Sequence, residues 1–165
     1  MLYACSPVTF IESFHPDHRE YLSQTLIEIE ILAGIASDCA AFKVMAAGYD
    51  EWSGEPVRQA IQKKTRPDLT PIPQTYRGLT YGMTELMALT KSRTWSHHAN
   101  PVAEWCFDAV EVRYPAGDAD QLRPDKPDRQ AVGKRIVAVP TAAMAITRWR
   151  ELAHKHHRSG RMVVR

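Results

Sequence analysis

Residues 42–49 run Phe42-Lys43-Val44-Met45-Ala46-Ala47-Gly48-Tyr49, a short and mostly apolar stretch that stops at an acid, Asp50. That is the profile of a buried strand with a carboxylate at its C-terminal end. A strand hidden in this way needs other layers to cover it, and the flanking sequence supplies helices. Upstream, Asp17 has the chemistry of an N-cap for a helix running to about Cys39. Leu22, Leu26, Ile29 and Ala33 recur there at helical spacing, and Ile27, Ile31 and Ile35 widen the apolar face. Downstream, Ser53 can cap a helix through Lys64, with Glu55 and Pro56 in its first turn.

The same alternation continues along the chain. Residues 2–14 are rich in Tyr, Val, Thr, Phe and Ile and read as a strand. Residues 69–74 form a short extended stretch interrupted by Pro71 and Pro73, which suits a sheet edge. A helix is expected from Thr80 to about Ser92, carrying Met83, Leu86, Met87 and Leu89. Asn100 followed by Pro101 is a strong helix start, with an end near Asp108. Residues 109–114 alternate as a strand, and residues 115–129 read as a polar loop rich in Asp, Pro and Gly. Residues 135–139 have strand propensity, with Pro140 opening a helix to about His157. No repeat or low-complexity linker divides residues 1–165, so one layered α/β domain is expected.

Composition narrows the function classes. The 165 residues have the apolar and charged fractions of a globular domain. No apolar run approaches the roughly 20 residues needed to cross a bilayer, and the first residues lack the features of a signal peptide. A cytoplasmic protein with no membrane partner is expected. Cys5, Cys39 and Cys106 are odd in number and far apart, so they are read as small hydrophobes, not as a disulfide framework or a zinc site. The formal net charge is only +2, yet eight Lys or Arg residues and a single acid, Glu151, lie between Lys134 and Arg165. That end could meet phosphate or another acidic surface, or be a solvated helix face.

Two stretches go beyond a generic α/β pattern. The first is Ala46-Ala47-Gly48-Tyr49-Asp50-Glu51-Trp52, followed by Pro73-Gln74 and the Thr84-Glu85-Leu86 helix. The second is Trp95-Ser96-His97-His98-Ala99-Asn100-Pro101-Val102-Ala103-Glu104-Trp105, continuing to Arg123-Pro124-Asp125-Lys126 and Lys134-Arg135-Ile136. In order and spacing this resembles the nuclease half of the large-subunit terminases of tailed phages, over about residues 42–149. The block from His97 to Trp105 is its most specific piece.

The resemblance implies a ribonuclease-H-like fold, a central mixed sheet flanked by helices, here incomplete at the N-terminus. It implies an ancestral activity, cleavage of concatemeric phage DNA during packaging, with double-stranded DNA and other terminase or portal components as partners in a bacterial host or prophage. No Gly-x-x-x-x-Gly-Lys-Ser/Thr phosphate loop occurs, so no packaging ATPase is expected in this chain. Nucleases of this fold use two divalent ions, Mg²⁺ or Mn²⁺, held by carboxylates. Asp50 matches the catalytic, metal-binding acid at the end of the inner strand. His97, Lys126, Arg129, Lys134 and Arg135 are the expected DNA contacts. Trp105 and Trp149 are expected in the core.

The sequence departs from the family at two acids. Ile136 is followed by Val137, where the family has an Asp, and the nearest candidate for the first-strand acid is Glu12. One clear ligand of three therefore remains. A second reading keeps the shape and the basic surface without the chemistry, as a module that binds DNA or a packaging partner.

Overall fold

A computed structural model describes residues 24–42, 44–51, 58–59, 61–62, 68–95, 100–127 and 135–158. Helix α1 spans Gln24–Ala41, strand β1 Ala46–Tyr49 and strand β2 Asp68–Pro71. Helices α2 (Tyr76–Lys91) and α3 (Pro101–Asp108) follow, then strands β3 (Glu111–Arg113) and β4 (Arg123–Asp125), and helix α4 (Ala138–Arg158) closes the order. The mixed α/β class is as expected. Among the described residues the strands form two separate pairs, β1 parallel to β2 and β3 antiparallel to β4, and not one central sheet.

The β1–β2 register sets Ala46 opposite Asp68 and Tyr49 opposite Pro71. The amides of Asp68 and Ile72 donate to Met45 and Tyr49. Alternate residues of a strand point their N–H groups to opposite sides. The outer side of β2 thus falls to Leu69, Pro71 and Pro73, and two of these have no N–H to offer. Among the described residues β2 holds the edge position expected from the prolines.

Helix α4 lies across both strands and against their direction. Arg148 reaches Asp68 at the start of β2 with an Nη2–Oδ2 distance of 2.8 Å. Met144, one turn earlier, accepts at 3.2 Å from the Gln74 side chain beyond the end of β2. The contact is close because of Gly48. A Cβ there would stand 2.7 Å from Ile72 Cδ1 and 3.3 Å from both Met144 Cβ and Arg148 Cγ.

Helix α2 crosses α4 at a second close approach. Gly82 lies against the backbone of Ala143, where a Cβ would collide with the carbonyl and stand 2.6 Å from Thr147 Oγ1. Leu79, Met83 and Leu86 recur at helical spacing on α2, and Val139, Ala143 and Ile146 do so on α4. These six interlock with Ile72, Leu122 and Met144 in one apolar cluster. A smaller cluster joins Ala103 and Cys106 of α3 to Ala138 of α4. Trp95 and Phe107 close the flank between α2 and α3 with ring centroids 5.2 Å apart.

Several expected boundaries move. Helix α2 begins at Tyr76, not Thr80, because Thr75 caps it through a 3.2 Å bond from Gly78 N to Thr75 Oγ1. Strand β1 begins at Ala46, since Val44 N donates to Phe42 O at 2.9 Å and not to a neighbouring strand. The loop expected over residues 115–129 contains β4, in which Pro124 stands opposite Val112. Residues 135–139 are not a strand: Val139 N donates to Ile136 O at 2.9 Å in a turn, and α4 starts at Ala138. Pro140 then falls in the first helical turn, where amide donors lack intrahelical partners anyway, so it opens no kink. Trp105 is exposed and not in the core, since α3 turns Ala103 and Cys106 inward instead. Trp149 is half-buried, with the Arg150 guanidinium 4.5 Å from its ring centroid. The strand expected over residues 2–14 and most of the helix expected after Ser53 lie outside the described residues.

Candidate functional site

Asp50 directly follows β1 and is half-buried. Because α4 runs against the strands, its first turn and the Asp50 end of β1 extend in the same direction. Ala138 lies about 9 Å ahead of Met144 along the helix axis. Asp50 lies about 7 Å beyond Gly48 along the strand. Asp50 stands at the edge that gathers strand C-termini, where open α/β sheets place their sites.

Residues at the start of α4 are not acidic. Val137 immediately precedes the helix and is 43% exposed, an apolar side chain in water at a position that favours Asp, Asn, Ser or Thr. Thr141 returns its hydroxyl to Val137 O at 2.7 Å, which satisfies one backbone acceptor but adds no ligand. No group of three His, Cys, Asp or Glu side chains able to hold a metal occurs among the described residues. A hard divalent ion takes about six oxygen ligands, and Asp50 alone would leave nearly all of them to water. The donor set among the described residues does not fit the two-ion centre that the resemblance implies.

The expected DNA contacts divide. Arg135 is exposed ahead of α4. Lys126 follows β4, half-buried, with its backbone N–H donating to Asp125 Oδ1 at 2.9 Å. His97, Arg129 and Lys134 lie outside the described residues. The neighbouring hairpin cations are already engaged. Asp125 takes Arg113 Nε at 3.1 Å and Arg123 Nη2 at 3.4 Å, and Arg123 also lies over the Tyr76 ring, 4.7 Å from its centroid.

The basic C-terminal segment holds a surprise in the same vein. Arg148 is buried, bonded to Asp68 on one side and to Glu151 on the other. Arg150 bonds Glu85 of α2, Nη2 to Oε2, at 2.6 Å. Two of the cations that make this segment look basic are therefore structural ties. A signal was present in the sequence, since Arg148 falls on the helical stripe of Met144 and Glu151 falls one turn later, but the other two acids, Asp68 and Glu85, lie far away in the chain.

One open cleft of about 470 Å³ lies between the end of β2, the first turns of α2 and the second half of α4. Arg77, Tyr81, Arg150, Glu151 and His154 line it, a polar wall that sequence reading did not single out.

No protein-family model, curated protein or solved structure matches the chain. No helix among the described residues is long and apolar enough to cross a membrane.

Proposed function

We propose that the chain is a relative of the terminase large-subunit nuclease domain, whose ancestral reaction is metal-dependent cleavage of double-stranded phage DNA. The observation that carries this reading is the antiparallel passage of α4 over β1. It supports the reading because the motif order requires the strand-end carboxylate Asp50 and the start of the last helix to extend in the same direction. The ribonuclease-H-like sheet belongs to the same proposal, with β1 as its inner strand and β2 toward its edge.

A second reading has its own support. With Val137 at the start of α4 and no three-ligand cluster among the described residues, the domain serves as a DNA-binding module, with Arg135 and Lys126 at its surface. Plasmid nicking in Mn²⁺, beside an Asp50→Ala control, separates the two. Nicking that disappears with Asp50→Ala supports the nuclease. Salt-sensitive binding without nicking supports the module. Neither nicking nor binding would remove both.

A further inference from the structure

We draw no further inference here: the strongest candidate, the open cleft between the end of β2, the first turns of α2 and the second half of α4, has two of its charged side chains paired internally (Arg150 with Glu85, Glu151 with Arg148), and nothing in the structure shows what occupies it.

Discussion

The two halves of α4 hold the molecule by different means. From Ala138 to Ile146 the helix is apolar and close-packed, and Ala143 is fully buried beneath the Gly82 crossing. From Thr147 onward it is tied by charge, through Arg148 to Asp68 and Glu151 and through Arg150 to Glu85. The apolar half tolerates no added atom. The charged half has partners that are still half in water, since the Asp68 and Glu151 side chains are 52% and 46% exposed. Packing in a dense interior is unforgiving, whereas ion pairs near solvent can be replaced by hydration. Most of the helix's contribution to stability should therefore sit in its first half.

Gly82→Ala should give the largest effect. Helix propensity alone favours Ala by about 1 kcal/mol, but the new methyl meets helix backbone at Ala143, so a net loss of about 3 kcal/mol is expected in urea unfolding. A neutral result would mean that the two helices are not in contact there. Arg148→Ala should come next, at about 2 kcal/mol, because it removes a buried stem as well as two ion pairs. Were this loss to exceed that of Gly82→Ala, the ranking of the two halves would be reversed.

The sign changes at the helix start. Val137→Asp replaces an exposed apolar side chain by an N-terminal carboxylate, and a gain of about 1 kcal/mol is expected from capping and the helix dipole. The same variant sharpens the functional reading, since it returns an acid to the start of α4 and should strengthen Mn²⁺-dependent nicking if the Asp50 edge is catalytic. Smallest of all, Arg150→Ala should cost less than about 1 kcal/mol. On the proposed DNA-binding reading it should also leave the salt dependence of binding unchanged, because Arg150 is engaged by Glu85. Arg135→Ala should instead lower the slope of log affinity against log salt by about 1. Equal slopes for the two variants would show that pairing inside the fold does not decide which cations meet DNA.

How much of this was legible from the chain depended on range. Local chemistry read well: Asn100 caps α3 through bonds from Val102 N and Ala103 N at 3.0 and 2.9 Å, Pro101 fills the first helical position, and the end falls at Asp108. The strand end at Tyr49 and the edge character of β2 were also visible. Where intrinsic preference competed with a tertiary partner, the reading failed. Ile136 and Val137 have β propensity, but Val139 and Ala138 are claimed by the α2 and α3 interfaces and draw the segment into a helix. Pro124 looks like loop, yet it is buried opposite Val112. Of the candidate site, Asp50's place after β1 was legible. The fate of the basic residues was not, because Asp68 and Glu85 find their arginines across 80 and 65 positions of sequence.

The prolines of β2 have a consequence for how this molecule can associate. With donors missing at Pro71 and Pro73 along its outer side, that border offers a newcomer strand an incomplete ladder. Propagation of the parallel pair is thereby polarised. Within this pair a further strand, whether from this polypeptide or another, meets a full set of amides along the flank of Ala46 and Gly48 and a broken one along β2, so the sequence itself disfavours stacking from the β2 border.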